Sequence, residues 1–180
     1  MKYVFLILMV CLFSCKTSKE AGSSVWIPYD EKDEVAASVK NEVVRLRYKL
    51  IQSKILDKNE LWKTISPQLT NFSEIDYKHL EPLIFNQDIL TIQSYIISGS
   101  VTYEKLTQWY LYRIVKFEND KSKALNNIIS INPNAVKEAR KKDRNRSGTN
   151  HPIFGMPVLL KDNINFEGLA TTAGAHVHQR

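Results

Sequence analysis

The sequence predicts an α/β protein in which most of this chain is α-helical and leads into the first strand or two of the core. Over most of its length, apolar residues recur every three or four positions, which is the spacing of one helix face. Residues that favour helix starts and helix ends separate these stretches. After a loop marked by proline and glycine comes one short continuous apolar run, residues 158–160, which is typical of a strand covered on both faces.

Length and composition are those of an ordinary folded domain, with or without an extension. The chain has 180 residues, of which 43% are hydrophobic and 24% are charged, so disorder is not expected for most of it. The net charge is +6, but the sequence has none of the features that usually bind nucleic acid: no zinc-ligand spacing, no basic helix that could read a DNA groove and no aromatic motif that could stack on bases. A solvated basic surface explains this charge best, and we expect no nucleic acid partner.

Residues 1–14 predict a lipoprotein signal peptide. A short basic start is followed by residues 3–13, an unbroken apolar run that is too short to span a bilayer comfortably. The segment 12-LFSC-15 resembles a bacterial lipobox, in which the cysteine is lipidated and becomes the new N-terminus. Cys15 is therefore the candidate lipidation site, and residues 15–25 form a polar tether. The alternative is an ordinary secretory signal with an incidental cysteine.

A lipidated Cys15 makes membrane lipid the first expected partner of the protein. Several acyl chains on one cysteine anchor a protein firmly, since each buried methylene contributes about 0.8 kcal/mol. The protein is then expected to be exported and lipid-anchored to the bacterial cell envelope. That location also argues against tRNA or DNA as a partner, since neither is normally present outside the cytoplasm.

Residues 26–148 are predicted to form a helical region. Its first helix begins at Glu31 and carries one apolar stripe. A second short helix covers residues 59–65 and ends before the next proline. One or two short helices are expected next, around residues 77–85 and 88–97. The stripe of the first helix consists of Val35, Val39, Val43, Leu46, Leu50 and Ile51.

Capping residues place the remaining helices of this region. Thr102 is a good N-cap for the next helix, and a further helix is expected over residues 122–131. Asn132 followed by Pro133 is a strong start signal for a last helix over residues 133–146. Its many basic side chains are interpreted as solvated surface. The face predicted to be buried in the Thr102 helix consists of Leu106, Tyr110, Ile114 and Phe117.

Residues 149–180 are predicted to begin an α/β core. Their first strand, residues 158–160, ends at Lys161. In an open α/β sheet, side chains at the carboxyl end of a strand project into the crevice where ligands bind. A lysine that emerges from apolar packing loses hydration, which lowers its pKa and suits it to act as a general base. The alternative, from these residues alone, is an exposed lysine after a short strand.

An ordered set of short motifs occupies the second half of the chain. In chain order the motifs are Leu125-Asn126, Asn132-Pro133-Asn134-Ala135, Asp143, Gly155-Met156-Pro157-Val158-Leu159-Leu160-Lys161-Asp162-Asn163 and Thr171-Thr172-Ala173-Gly174. In order and spacing they resemble the N-terminal part of the amidase signature family. The resemblance covers about residues 97–175 and does not extend to residues 26–96.

The resemblance implies a fold, a reaction and one site residue. The fold of the family is α/β, a mixed sheet covered by helices. Its members hydrolyse a carboxamide with a serine nucleophile, a second serine on a cis peptide bond, and a lysine that exchanges a proton with the second serine. Lys161 matches that lysine, whereas Asp162 and Asn163 match neighbours that shape the loop. A small amide is the implied substrate, and no metal or organic cofactor is implied.

Both serines of the family lie in glycine- and serine-rich segments further along the chain. Neither segment occurs in these 180 residues. The resemblance therefore implies an N-terminal fragment of an exported amidase that is inactive as it stands. The competing interpretation is a non-catalytic helical lipoprotein that binds a partner at the cell envelope.

Overall fold

The computed structural model describes residues 25–28, 30, 32–47, 58–120, 122–145 and 151–173. The predicted signal peptide, Cys15 and nearly all of the predicted tether lie outside these residues. Within the described part of the chain, no helix is both long enough and apolar enough to cross a membrane.

The described part of the chain is mostly helical, as predicted. Short 3-10 turns at Val44–Leu46 and Ser66–Gln68 supplement the α-helices. No strand forms within the described residues, and the isolated β-bridge there pairs Phe166 with Leu169. The α-helices are α1 (Lys32–Val39), α2 (Lys58–Ile65), α3 (Glu74–Ile84), α4 (Ile89–Ile97), α5 (Tyr103–Glu118) and α6 (Ala135–Arg144).

Side-chain caps define where the central helices begin. The hydroxyl of Thr102 accepts a hydrogen bond from the backbone N–H of Lys105 at 3.0 Å, which confirms the predicted N-cap of α5. Ser73 and Asp76 form a capping box at the start of α3. Each cap satisfies backbone N–H groups that have no acceptor within the first helical turn.

Helix α5 lies at the centre of the core and packs against α2, α3 and α6. Because neighbours cover it on several sides, its buried surface is wider than the single stripe that the sequence predicted. Leu106 is buried, as predicted, but Tyr110 is 37% exposed, and that part of the prediction is wrong. The buried side chains of α5 are Tyr103, Leu106, Thr107, Gln108, Trp109, Leu111, Tyr112, Val115 and Glu118.

The first predicted helix is shorter than its apolar periodicity indicated. It ends at Val39, and both Val39 and Val43 are exposed. This end of the stripe is therefore outside the core, and a helix gains most of its stability in a protein from packing an apolar face. The last two stripe residues, Leu50 and Ile51, lie outside the described residues.

Residues 122–131 form turns and irregular structure instead of the predicted helix. The Asp120 carboxylate accepts hydrogen bonds from the backbone N–H and the hydroxyl of Ser122, at 2.9 and 2.6 Å. Such local bonds stabilise a turn in competition with a helix. Asn126 then adopts a left-handed backbone with φ of 52°, which interrupts a right-handed helix.

Helix α6 begins slightly later than the Asn-Pro signal indicated. Pro133 and Asn134 form a turn, and Ala135 is the first helical residue. Asn132 closes this turn, since its carbonyl accepts from the N–H of Ala135 at 3.2 Å and its side-chain oxygen accepts from the N–H of Asn134 at 2.8 Å. The signal therefore marks the turn that starts the helix.

Residues 158–160 are irregular and exposed, so the predicted buried strand is not formed here. The three side chains are between 47% and 73% exposed. Their backbone N–H and C=O groups make no hydrogen bond with any residue that the structure describes. A strand forms by pairing its backbone with a neighbouring strand, and the described residues supply no such neighbour.

The described chain is fixed to the helical body from its first residues onwards. Trp26 is buried, stacks on Trp62 with 5.9 Å between ring centroids, and donates from Nε1 to the side-chain oxygen of Asn59 at 3.2 Å. The carbonyl of Val25 accepts from the side-chain nitrogen of Asn119 at 3.1 Å. These contacts join the N-terminal segment to α2 and to the end of α5.

Candidate functional site

The loop that precedes Lys161 is held on α4 by one glutamine. The side-chain nitrogen of Gln93 donates to the backbone carbonyls of Pro152 and Phe154, at 2.9 and 3.1 Å. Its side-chain oxygen accepts from the hydroxyl of Tyr103 at 3.0 Å. We call Gln93 and Tyr103 together the loop clamp, because they fix residues 152–154 on the helical body.

Gly155, at the end of this loop, lies directly against the ring of Tyr103. Its φ is 72°, in the left-handed region that favours glycine. A Cβ at this position would lie 2.6 Å from atoms of the Tyr103 ring, which is closer than real Cβ contacts. Both the backbone conformation and the available space therefore require glycine here.

Asp143 on α6 fixes the backbone of Tyr103. Its carboxylate oxygens accept from the backbone N–H groups of Tyr103 and Glu104, each at 2.9 Å. A carboxylate at a helix N-terminus also interacts favourably with the helix dipole. Arg140, one turn earlier on α6, forms a two-point ion pair with Glu104, with N–O distances of 2.9 and 2.6 Å. Helix α6 is thereby fixed to the start of α5.

Lys161 itself is exposed in this structure. No described residue forms a hydrogen bond or an ion pair with its amine. Its backbone carbonyl accepts from the N–H of Ile164 at 2.9 Å. The desolvation that the sequence predicted for this amine is not observed, because the apolar residues before it are exposed as well. Its catalytic role stays a prediction.

Asp162 fixes the chain directly after Lys161. Its carboxylate accepts from the backbone N–H of Thr172 at 3.0 Å and from the hydroxyl of the same residue. Its carbonyl accepts from the N–H of Ala173 at 3.1 Å. Thr172 is 1% exposed, so these bonds close a loop around a buried side chain. The predicted loop-shaping role of Asp162 agrees with these contacts.

The structure therefore places Lys161 in an exposed segment, residues 157–161, between two fixed points. The loop clamp holds the chain before this segment, and the bonds from Asp162 hold the chain after it. Asn163 is exposed and makes no polar contact with another described residue. Within the described residues, no group of three His, Cys, Asp or Glu is placed to hold a metal ion.

Sequence analysis missed the loop clamp. Gln93 and Tyr103 belong to α4 and α5 and lie far from the loop in sequence, with Gln93 separated from its two carbonyl partners by 59 and 61 positions. No periodicity or local motif marks them. The one sequence feature that pointed towards this loop was the glycine at position 155 of the motif. That Gly155 contacts the ring of Tyr103 can be seen only in the folded structure.

The segment that contains this site is similar to a known protein family. Residues 105–180 match the family model described as Amidase. The matched part includes Asp143, Gly155, Lys161, Asp162 and Thr172. Over this segment the chain is similar to the amidase family, and this match confirms the resemblance seen in the sequence.

Two curated relatives agree with this assignment. A glutamyl-tRNA(Gln) amidotransferase subunit from Chlorobium limicola is 35% identical over 89 residues, a match that covers 48% of this chain and 18% of that protein. The subunit of the same name from Levilactobacillus brevis is 31% identical over 94 residues, covering 51% of this chain and 18% of that protein.

A crystal structure of an amidase family protein from Bacillus anthracis str. Ames aligns with a TM-score of 0.63 and 34% sequence identity. The alignment covers 67% of this chain and 24% of that one. This neighbour confirms the predicted fold class, of which this chain forms the mostly helical part. The chain thus matches less than a quarter of the length of each of these three proteins.

Proposed function

We propose that this chain is the N-terminal part of an amidase, a hydrolase that cleaves a carboxamide into an acid and ammonia or an amine. One observation carries the proposal: Lys161 lies between two sets of motif residues that fix the chain on either side. Gly155 is seated on Tyr103 before the lysine, and Asp162 binds Thr172 after it. The family match of residues 105–180 supports the same assignment.

Lys161 would supply the base of a Ser–cis-Ser–Lys triad. Its neutral amine takes a proton from the second serine, and that serine takes the proton of the nucleophilic serine as its oxygen attacks the amide carbon. The proton returns along the same path to the departing nitrogen, and water then hydrolyses the acyl-serine. We expect this chemistry to need no metal or organic cofactor.

We also propose that the 180 residues do not hydrolyse amides by themselves. A base without a nucleophile and oxyanion donors supplies little rate enhancement. The glycine- and serine-rich segments expected to carry both serines do not occur in this sequence. The small share of each relative that this chain covers supports the view that further residues complete the site.

The proposed substrate is a small amide. The curated relatives are named for glutamyl-tRNA(Gln), but an exported protein would not meet tRNA. The proposed location is the cell envelope, through lipid on Cys15, and its support is the segment 12-LFSC-15 that follows an apolar run. Membrane lipid and a small amide are therefore the partners that we propose, with no nucleic acid.

The proposal is tested by reading the DNA past the codon for Arg180 and assaying the products. We expect the longest encoded product to release ammonia from small carboxamides and the 180-residue chain to release none. Lys161→Ala in the longer product should lower kcat by about a thousandfold, the scale of general acid–base catalysis. Lys137→Ala, at an exposed position on α6, is the matched control and should keep full activity.

Two outcomes would contradict the proposal. The first is the absence of a glycine- and serine-rich block in every reading frame beyond Arg180. The second is full activity in the Lys161→Ala variant. A chain that folds cooperatively by itself and has no amidase activity in any encoded form would favour the non-catalytic lipoprotein instead.

A further inference from the structure

The side chain of Gln93 uses its polar atoms in a single orientation. Its oxygen faces the hydroxyl of Tyr103 at 3.0 Å, and its nitrogen faces the carbonyls of Pro152 and Phe154 at 2.9 and 3.1 Å. A primary amide offers two N–H donors on nitrogen and only acceptor sites on oxygen. A flipped amide would place its oxygen against two carbonyl oxygens, so only the observed orientation satisfies all three contacts.

The hydroxyl of Tyr103 selects this orientation. A tyrosine hydroxyl can donate its one proton to the amide oxygen, and the amide nitrogen then keeps both donors for the loop. Tyr103 is itself fixed, since its backbone N–H donates to Asp143 at 2.9 Å and its ring lies against Gly155 and in a T-shaped contact with the ring of Phe154. The loop clamp is therefore held by the same helices that form the core.

The segment after the loop has few supports of its own. Residues 158–160 are exposed and make no backbone hydrogen bond with any described residue. The position of Lys161 is then set by where the chain leaves the clamped loop and where Asp162 binds it again. The bonds of Asp162 lie within the sequence motifs themselves, whereas the loop clamp is supplied by α4 and α5.

We infer that Gln93 and Tyr103 are positioning residues for Lys161. Neither residue is assigned to touch substrate; each acts through the loop at residues 152–155. The hydrogen bonds and ring contacts of the loop clamp are observed in the structure. Its effect on catalysis rests on the proposed amidase function. The experiment therefore has one arm that needs no activity and one that does.

The first arm measures amide hydrogen exchange in the 180-residue chain. Tyr103→Phe removes the hydroxyl that orients the amide, and Gln93→Glu places a carboxylate oxygen against the two carbonyls. Each change should speed exchange at the N–H groups of Phe154 and Met156 by about tenfold, the effect of losing roughly one hydrogen bond. Those two N–H groups report on the loop because they bond to His151 and Ile153 within it.

Matched substitutions control for generic effects on the fold. Tyr110→Phe changes a tyrosine of the same helix that is partly exposed, and Gln87→Glu adds the same charge at a glutamine whose side chain donates to the nearby Pro82 carbonyl. Both should leave exchange in the loop unchanged. Equal exchange at Phe154 and Met156 in the wild type and in Tyr103→Phe, or equal acceleration by Tyr110→Phe, would overturn the clamp.

The second arm measures hydrolysis by the longest product of the gene. Tyr103→Phe should lower kcat by about tenfold at unchanged KM, because a displaced base affects the transition state more than ground-state binding. An unchanged kcat would overturn the positioning role. A wild type that hydrolyses no amide would overturn the proposed function and the catalytic part of this inference together, while the exchange arm still decides the clamp.

Discussion

The carboxylate of Asp143 caps α5 by accepting a hydrogen bond from the backbone N–H of Tyr103, 40 positions earlier in the chain. The cap comes from a neighbouring helix and adds to the local cap from Thr102. Asp143→Ala should lower the free energy of unfolding by about 1–2 kcal/mol, the usual effect of losing a helix cap. Urea denaturation measures this loss.

Asp143→Asn is the informative companion, because it keeps an acceptor oxygen and loses the charge. It should recover about half of the stability lost in Asp143→Ala, since both the hydrogen bond and the helix dipole contribute. Equal stability of Asp143→Ala and the wild type would show that Thr102 caps α5 adequately alone.

Gly155→Ala tests the seat on Tyr103. The backbone penalty of a left-handed alanine is about 1 kcal/mol, and the contact with the ring should add about 1–2 kcal/mol. Gly168→Ala separates the two contributions, since Gly168 has a φ of 81° but no atom within 4 Å of an added Cβ. We expect Gly155→Ala to cost clearly more than Gly168→Ala in thermal unfolding. Equal losses would mean that the ring of Tyr103 moves aside freely.

Thr172→Val tests the loop that follows Lys161. Valine keeps the buried shape and removes the hydroxyl that donates to Asp162. Losing this bond leaves a carboxylate oxygen without its donor, which should raise local exchange at the backbone amide of residue 172 by about tenfold. Thr171→Val changes the adjacent threonine and should have little effect. Identical exchange in both variants would argue against a special role for Thr172.

The ion pair between Arg140 and Glu104 predicts a pH dependence. Hydrogen bonds from Arg140 hold the pKa of Glu104 below its ordinary value of 4.5. Because the pKa of Glu104 is lower in the folded than in the unfolded protein, its ionised carboxylate stabilises the fold. This stabilisation is complete above the pKa of Glu104 in the unfolded protein and is lost as the pH falls through its pKa in the folded protein. The stability gap between wild type and Arg140→Gln should therefore stay constant well above the ordinary glutamate pKa of 4.5 and narrow as the pH falls below that value.

The size of that gap is expected to be modest. A largely surface ion pair contributes about 1 kcal/mol or less, even with two-point geometry. Lys137→Gln removes a cation from the same helix without touching Glu104 and serves as the control. Urea titrations at each pH give the measurement, and a gap that stays constant with pH would contradict the assignment.

Lipidation of Cys15 is tested without reference to the amidase. Cells that express the whole chain should incorporate radiolabelled palmitate into the wild type and not into Cys15→Ser. Cys11→Ser is the control, because that cysteine lies inside the apolar run and should not affect labelling. Labelling of Cys15→Ser, or no labelling of the wild type, would refute the lipid anchor.

Local signals in the sequence were enough to place several helices. Thr102 and the break before Pro67 act within one turn of the residues that they control, so they can be used directly from the sequence. The missing helix at residues 122–131 marks the limit of such signals. There the side chain of Asp120 and the left-handed Asn126 stabilise a turn, and apolar periodicity carries no information about either.

Features that join distant parts of the chain could not be predicted in the same way. The loop clamp and the Asp143 cap depend on how α4, α5 and α6 pack. The same holds for residues 158–160, since whether an apolar run becomes a strand depends on a neighbour to pair with. The sequence could identify Lys161 as a candidate base, but its surroundings in three dimensions are decided by those distant partners.

The seating of Trp26 has a consequence for where the protein could work. If Cys15 carries lipid, the chain from there to Val25 can reach at most about 36 Å, even when fully stretched. Because Val25 and Trp26 are bound to the helical body, the tether cannot become longer unless these contacts break. The helical body would then stay within a thin layer next to the bilayer, and any substrate of the proposed amidase would have to diffuse into that layer.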